Sequence, residues 1–545
     1  MGVYFEYSFC FFNALLLGYL VYHILRYRKL YYSKDIVFFG LLSIILVYIF
    51  SYFFAVDKGM NIYGVIKVLM PFLFYLVLLQ IDIEKTKLEK IIVISGFIIA
   101  FLSICGLYIK SIADMIIQNN RFGGFLGYPN AYALYMLVVF ILLQQPNYYN
   151  KYLKVLFNSI LLVSVMLTYS RSVVILSIFV LVYIFIIANS KVRKEILVSL
   201  FMTALLYFII INTSILHGDS IRMTQITTQA TEVQARLLYY SDAINIVKNN
   251  IWGLGYDGYY YIQGAYQTGI YKVKLVHNSV LQVALEIGII GIVLYGIMFC
   301  SILIRRAKNL KHENLDYLDL AFFIIVIHSL FDFDLSFGVL VNILIVIIYM
   351  RTRGLKLEIR VWRRTAILGF MVLIVVNLLL GVSAWAVHMG EYDLAFKIYK
   401  YNTEAYVSKA YYYMKNKDYD DAKKYIYYAK NLNDSNIEIL KIEREIDIFE
   451  GNFKKALKNQ ENIVELDRIN ILEVEKYSDL LLEIITNEVY NSRERKNYKK
   501  KIENIRNYIY ETAANISELA YNQKRVPIFL MTKKLLENEK EALKY

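Results

Sequence analysis

The stretch HNSVLQVALEIGIIG, residues 277–291, opens on a histidine–asparagine pair and continues directly into apolar residues. Nine residues separate Asn278 from Gly288, and two more separate Gly288 from Gly291. The apolar run extends to residue 303. As a helix it is long enough to cross roughly 30 Å of bilayer hydrocarbon. The stretch therefore predicts a membrane helix with a titratable imidazole at its mouth, and such a group is a candidate functional residue.

The whole chain has the composition of an integral membrane protein. Hydrophobic residues fill 58% of its 545 positions, and only 4 are prolines. Soluble domains are nearer half apolar. We expect the first apolar run to be a retained span, because no basic segment precedes it and no small-residue cleavage site follows it. The pattern predicts an all-α, polytopic bundle of about 12 spans, at 5–25, 35–56, 61–80, 90–110, 128–145, 153–169, 172–189, 195–215, 278–303, 318–331, 336–350 and 365–387.

The joints between these runs alternate in charge. The joints after the odd-numbered runs carry 22 of the lysines and arginines, and the short joints on the other side carry four, Lys58, Lys110, Arg121 and Arg171. By the positive-inside rule the first set is cytoplasmic. The amino terminus, the large loop 216–276 and the chain after residue 388 are then expected outside. Because membrane topology explains the net charge of +14, we expect no nucleic-acid partner.

The tail has a different composition from the rest. Residues 1–388 are predicted to form the membrane domain, whereas residues 389–545 are charged, lysine-rich and helix-forming. The tail is predicted to be an extracytoplasmic, tetratricopeptide-like helical-repeat domain that offers a surface to an acceptor or a protein partner, with an unrelated helical array as the alternative. The repeat period of 34 residues separates two pairs, Tyr419 with Phe453 and Ala422 with Ala456.

Candidate site residues come from four joints on the side that otherwise avoids basic residues. Arg121 precedes a glycine-rich turn, and Asn130 opens the fifth span and could cap its helix. Arg171 lies in the tight joint TYSRS. Arg236 lies on an amphipathic helix of the large loop, and His277 heads the ninth run. A single arginine near a span end often extends to lipid phosphate, but four polar residues from four joints favour a site.

Other polar residues carry less weight. Lys67 inside the third span is more typical of a structural role, and Glu286 is expected to be a buried partner or a packing device. His328, Asp332 and Asp334 could bind a metal in principle, but no second ligand cluster stands beside them. Paired aspartates at a span break more often bond backbone groups. The sequence therefore predicts no metal and no cofactor, and it lacks the common ATP-binding and hydrolase motifs.

The chain resembles the O-antigen ligase and O-antigen polymerase superfamily over residues 60–350. HNSVLQVALEIGIIG fits its histidine motif, RFGGFLGYPNAYA its Arg-x-x-Gly…Asn motif, YSRS its Ser-Arg joint, and the segment from Arg236 to GLGYDGYY its loop arm; HSLFDFDL resembles the segment that often follows. The resemblance implies transfer of a glycan from an undecaprenyl-diphosphate carrier to an acceptor hydroxyl on the outer face. It implies neither metal nor nucleotide. The external amino terminus and the tail depart from the family pattern, so polymerase and ligase both stay open.

The residue types suit this chemistry. A guanidinium group can donate two parallel hydrogen bonds to the oxygens of a diphosphate leaving group and so stabilise its departure. A neutral imidazole can deprotonate the attacking hydroxyl near pH 7. A flippase for the same lipid-linked glycan is the alternative, because it needs the arginines but has little use for a base. The predicted site comprises catalytic His277, Arg236 and Arg171, with substrate contacts from Arg121, Asn130, Arg171, Arg236 and Asn278.

Overall fold

The computed structural model describes residues 2–145, 149–216, 231–309, 316–352, 356–360, 362–487, 492–522 and 525–545. Within these ranges the chain is almost entirely helical, which confirms the predicted all-α class. Residues 217–230 of the predicted large loop lie outside the described part. Parts of the joints after the fifth, ninth and eleventh runs also lie outside it, at 146–148, 310–315, 353–355 and 361.

Each predicted apolar run coincides with one helix, and three further helices lie in joints. The membrane helices and the joint helices are α1 Glu6–Tyr27, α2 Ile36–Ser51, α3 Lys58–Gln80, α4 Lys85–Gly106, α5 Lys110–Ile116, α6 Pro129–Leu143, α7 Lys151–Leu167, α8 Arg171–Ile187, α9 Ser190–Thr213, α10 Thr231–Asn249, α11 Gly258–Tyr266, α12 Ser279–Asn309, α13 Tyr317–Ser329, α14 Gly338–Thr352 and α15 Arg363–His388. Four short strands accompany them, β1 Lys29–Ser33, β2 Ile117–Gln118, β3 Arg121–Phe122 and β4 Lys356–Arg360.

Among the described residues, six helices are long and apolar enough to cross a membrane: α1, α3, α4, α9, α12 and α15. Five more are apolar but shorter, namely α2, α6, α8, α13 and α14. Helix α6 lies at the centre, because its sequence is apolar on every side and all 15 of its residues are buried. It packs against α4, α7, α8 and α13. The chain is therefore a polytopic helical membrane protein.

The joints gather into two groups at opposite ends of the bundle. At one end β1 pairs antiparallel with β4, so the joint after α1 meets the joint before α15. Arg351 of α14 contacts Asp316 at the same end. At the other end the joint between α2 and α3 touches the large loop, where Val56 N–H donates to Leu254 O at 2.9 Å. The two groups match the alternation of joints along the chain.

The tail is a helical array in which consecutive helices contact each other. Ala422 and Ala456 are fully buried at matching positions of their helices, and Tyr419 and Phe453 each begin one. Consecutive helices pack along the array, and its assignment as a tetratricopeptide array stays a prediction. The tail helices are α16 Tyr392–Ile398, α17 Thr403–Lys415, α18 Tyr419–Leu432, α19 Ile437–Phe449, α20 Phe453–Leu466, α21 Ile471–Thr486, α22 Ser492–Ala514, α23 Glu518–Asn522 and α24 Lys533–Ala542.

The tail docks on the large loop and on the joint between α2 and α3. Buried Asp57 caps α3 and also accepts hydrogen bonds from Thr403 at 3.0 Å and from Asn433 at 3.1 Å. Ile270 N–H donates to Arg525 O at 2.8 Å. The tail therefore lies at the same end of the bundle as the large loop.

Candidate functional site

One buried carboxylate, that of Asp332, joins three of the predicted site residues. It lies in the break between α13 and α14 and has no exposed surface. Its Oδ2 accepts from Asn130 Nδ2 at 2.6 Å and from Arg236 Nη2 at 3.2 Å. Its Oδ1 lies 3.1 Å from His277 Nδ1. The structure thus brings Asn130, Arg236 and His277 together, although they are far apart in the sequence.

The backbone around His277 fixes the ring. His277 adopts a left-handed φ of 56°, and Tyr240 donates a hydrogen bond to its carbonyl at 2.6 Å. Asn278 then caps α12, because its Oδ1 accepts the N–H groups of Val280 and Leu281, both at 2.9 Å. The Nδ2 of Asn278 donates to Leu330 O at 2.8 Å. The asparagine of the motif therefore ties the start of α12 to the break that carries Asp332.

The glycine nine residues further on explains the fixed spacing. Helix α12 breaks at Ile287 and Gly288, where Gly288 has a φ of 66°. The break frees the carbonyl of Leu285, which accepts from Leu254 N–H at 2.7 Å, and that of Glu286, which accepts from Gly255 N–H at 2.9 Å. The Gly253–Gly255 turn follows α10, the helix that carries Arg236. The spacing therefore sets the position of His277 relative to Arg236.

Arg121 is presented by a tight hairpin. Asn119 and Asn120 have φ of 50° and 57°, as a type I′ turn requires, and they join β2 to β3. Arg121 Nη2 donates to Asn130 Oδ1 at 2.7 Å, and its Nε donates to Thr168 O at 3.0 Å. We call Asp332 with Asn130, Arg236 and His277 the Asp332 cluster. Through Asn130, Arg121 connects this cluster to the joint between α7 and α8.

The predicted cap at Asn130 is wrong. Pro129 is the first residue of α6, Tyr128 is its N-cap residue, and no side chain caps this helix. Asn130 is the second residue of α6 and lies two positions after the N-cap residue. Its amide instead bridges Arg121 and Asp332.

Arg171 begins α8, three residues after the Thr168 carbonyl that Arg121 contacts. The next residue, Ser172, places its hydroxyl 2.9 Å from His328 Nε2, and His328 Nδ1 lies 2.5 Å from Asp334 Oδ2. Burial raises the pKa of Asp334, and the neighbouring His328 offsets part of this effect. Among the described residues no group of three or more histidine, cysteine, aspartate or glutamate side chains could hold a metal ion.

Two of the less favoured residues also have defined surroundings. The Lys67 ammonium lies 4.9 Å from the ring centroid of Tyr256 in the large loop. Glu286 is buried and accepts from Tyr48 at 2.5 Å and from Gln282 at 2.7 Å.

The electrostatics of Asp332 define the tautomer of His277. Burial acts to raise the pKa of Asp332, but the charge of Arg236 and the hydrogen bond from His277 outweigh it and hold this pKa well below its usual range. An ionised carboxylate only accepts, so the proton of the neutral ring is assigned to Nδ1 and the lone pair to Nε2. No hydrogen bond reaches Nε2 within the described part of the chain, and the His277 side chain is 21% exposed.

Sequence reasoning missed the role of Asp332. The sequence predicts that the aspartates of HSLFDFDL bond backbone groups. The Asp332 carboxylate does accept the N–H of Phe333 at 2.9 Å, and its other partners are side chains. The available signal is the presence of Asp332 and Asp334 at the same end as three arginines and a histidine.

A family model described as O-antigen ligase matches residues 156–296. This range contains Arg171, Arg236, His277 and the glycine at which α12 breaks. No curated protein matches the chain. The match supports the O-antigen ligase superfamily and, with the membrane helices, a general role as a membrane glycan ligase or polymerase.

Proposed function

We propose that the protein transfers or polymerises a glycan from an undecaprenyl-diphosphate carrier onto an acceptor hydroxyl at the outer face of the membrane. The observation that carries the proposal is the Asp332 cluster, in which a carboxylate orients His277 through Nδ1 beside an arginine. This arrangement supplies a base and a cation at one place. The match of the family model to residues 156–296 supports the same reaction class.

The charges of the cluster suit a diphosphate. Arg121, Arg171 and Arg236 bring three positive charges, and Asp332 removes one. These guanidinium groups are the cations proposed to bind the leaving group. Because the surroundings of Asp332 are largely buried, they act more strongly than they would in solution.

His277 serves as the base in this mechanism. The acceptor oxygen attacks the anomeric carbon as the bond from that carbon to the diphosphate oxygen breaks. The hydroxyl proton moves to His277 Nε2, and the electron pair of the broken bond leaves with the diphosphate, held by the arginines. Asp332 stays ionised and stabilises the imidazolium ion. Direct displacement of this kind inverts the anomeric centre.

The proposed orientation rests on charge. The end of the bundle that holds β1 and β4 carries the basic joints, so it is proposed to face the cytoplasm. The candidate site and the tail, a tetratricopeptide-like domain in this proposal, then face outward. Such a domain could also contact a protein partner.

The test uses the purified full-length chain and its lipid-linked glycan. The wild type should form product, and it should do so in excess chelator if the arginines supply all the positive charge at the leaving group. The His277→Ala variant should bind the lipid-linked glycan as the wild type does and transfer nothing. Transport of the glycan across vesicles by both proteins, with no product from either, would instead identify a flippase.

A further inference from the structure

A cavity of about 940 Å³ lies between the large loop and the tail. One wall is α11 with the segment that follows it, and it contributes Tyr260, Tyr261 and Lys272. The opposite wall is built from the tail and includes Glu404 and Ser408 of α17. We call this cavity the loop–tail groove. Its size is typical of small-molecule sites, which range from roughly 300 to 1,000 Å³.

The groove presents aromatic rings together with unused hydrogen-bonding groups. Within the described residues, the hydroxyls of Tyr260, Tyr261 and Ser408 have no hydrogen-bond partner. Asp257 Oδ1 is buried and also has none, although Oδ2 of the same carboxylate lies 3.1 Å from Lys274 Nζ. A sugar ring has apolar C–H faces and a rim of hydroxyls that both donate and accept. The combination of aromatic rings, hydroxyls and carboxylates in the groove matches both features.

The charge of the groove differs in sign from that of the arginines proposed to bind the donor, Arg121, Arg171 and Arg236. Five carboxylates and three ammonium groups line it, so its net charge is negative. A diphosphate is therefore disfavoured there, whereas the uncharged part of a glycan is not. This difference argues against a second carrier site and in favour of a saccharide chain.

The groove ends close to His277. Lys274 lines the groove, and a segment without helix or strand connects it to His277 three residues later. Three residues span at most about 10 Å. Tyr271 of the groove also lies 4.5 Å from Tyr239, which lies 6.2 Å from His277, as ring centroids. A chain held in the groove can therefore extend a terminal hydroxyl toward the base.

We propose that the loop–tail groove binds the acceptor oligosaccharide, with its sugar rings against Tyr260 and Tyr261. The proposal rests on the proposed transferase function and assigns the tail a role in that reaction. The tail closes the acceptor groove, and the arginines on the membrane side bind the donor.

The test is direct binding to the full-length protein in detergent. The probe is a fluorescent oligosaccharide, released by mild acid from the surface polysaccharide of the parent cells and labelled at its reducing end. The double variant Tyr260→Ala, Tyr261→Ala should weaken binding roughly tenfold or more, because two aromatic contacts are lost. The matched control is Tyr427→Ala on α18, which is 66% exposed and outside the groove.

The outcomes distinguish this proposal from the proposed function. His277→Ala should bind the probe as the wild type does and form no product. A wild type that forms product but does not bind the probe overturns the groove assignment alone and points to a protein acceptor. Probe binding without product overturns the transferase instead. Equal binding by the double variant and the wild type also overturns the assignment. If the double variant does not fold, Tyr261→Leu is the second variant.

Discussion

At the scale of single residues, Asp332 determines how the candidate site is assembled. Its two oxygens accept hydrogen bonds from an asparagine, an arginine and a histidine that are far apart in the sequence. A buried carboxylate without partners is costly, and here the same partners hold it ionised. The acid that orients His277 therefore also fixes Arg236.

We expect Asp332→Asn to reduce transfer by about 10²–10⁴-fold, the usual worth of a positioned acid–base group. An amide donates as well as accepts, so it no longer enforces the Nδ1–H tautomer of His277. The measurement is product formation from lipid-linked glycan by purified protein. The matched control is Asp316→Asn, which removes another carboxylate bound to an arginine, Arg351, at the opposite end of the bundle. Equal activity of the two variants would remove Asp332 from the mechanism.

We expect Arg236→Lys to lose at least tenfold in transfer and to lie close to Arg236→Ala. Nη1 of Arg236 donates to Phe331 O at 2.5 Å, and Nη2 donates to Asp332 at 3.2 Å. A lysine keeps the charge but cannot reproduce this fork.

The same reasoning applies to Arg171, whose lysine variant should be nearly as damaging as its alanine variant. The control is Arg360→Lys on exposed β4. Near-normal product from the Arg236 and Arg171 lysine variants would show that these residues contribute only their charge.

At the scale of elements, the break in α12 forms a specific contact with the large loop. A Cβ on Gly288 would lie 2.1 Å from Ile251 O, and its φ of 66° is unfavourable for other residues. We expect Gly288→Ala to cost at least about 2 kcal/mol of unfolding free energy and to abolish transfer. Gly296→Ala in the same helix has no atom within 4 Å of the added Cβ and should be neutral or slightly stabilising. Thermal unfolding in detergent and an activity assay compare the Gly288→Ala and Gly296→Ala variants. Similar losses in the two variants would contradict the role of the break.

The sequence predicts elements better than it predicts the contacts between them. Continuous apolar runs give helices because the bilayer requires internally paired backbone, so all twelve runs correspond to helices. The pairing of β1 with β4 joins residues more than 300 positions apart, and no local pattern indicates it. The Asp332 cluster is non-local in the same way. The cap at Asn130 was wrong because local propensity points to a cap, whereas the partner that decides its position, Asp332, lies 202 positions away.

The contact between the α2–α3 joint and the tail should depend on pH. Burial raises the pKa of Asp57 to about 6, and its hydrogen bonds from Met60, Asn433 and Thr403 offset part of this effect. An aspartate in the unfolded chain titrates near 3.9. Between about pH 4 and 6 the folded protein therefore holds a proton on Asp57 that the unfolded chain has lost. The free energy of unfolding falls as the pH rises through this range.

We therefore expect Asp57→Asn to unfold at a higher temperature than the wild type at pH 7.5, and the difference to shrink to a small fraction of that value near pH 4. The change in unfolding free energy is at most about 3 kcal/mol. Thermal unfolding across pH 4–8 measures it. Asp114→Asn, an exposed carboxylate of α5, should show no such dependence. A constant difference between Asp57→Asn and the wild type at all pH values would contradict the prediction.

At the scale of the whole molecule, the two groups of joints should face opposite compartments. In a background with Cys105 and Cys300 replaced by alanine, a cysteine at Tyr427 should react with an impermeant thiol label in intact cells. Tyr427 is 66% exposed on the tail. A cysteine at Glu358, in β4 at the opposite end, should react only after permeabilisation. The reverse result would invert the orientation and place the candidate site in the cytoplasm.

The closure of the bundle by its first and last spans constrains how the protein is made. Helix α1 packs against α15, and Gly381 allows the close approach to Cys10 and Phe11. At about 5–20 residues per second, roughly 20–70 s pass between synthesis of α1 and synthesis of α15. Asn13 of α1 meanwhile finds an early partner, because its Nδ2 donates to Ile66 O of α3 at 2.8 Å. A ribosome-bound intermediate should therefore hold α1 against α3, with one side of α1 open to lipid until α15 is inserted.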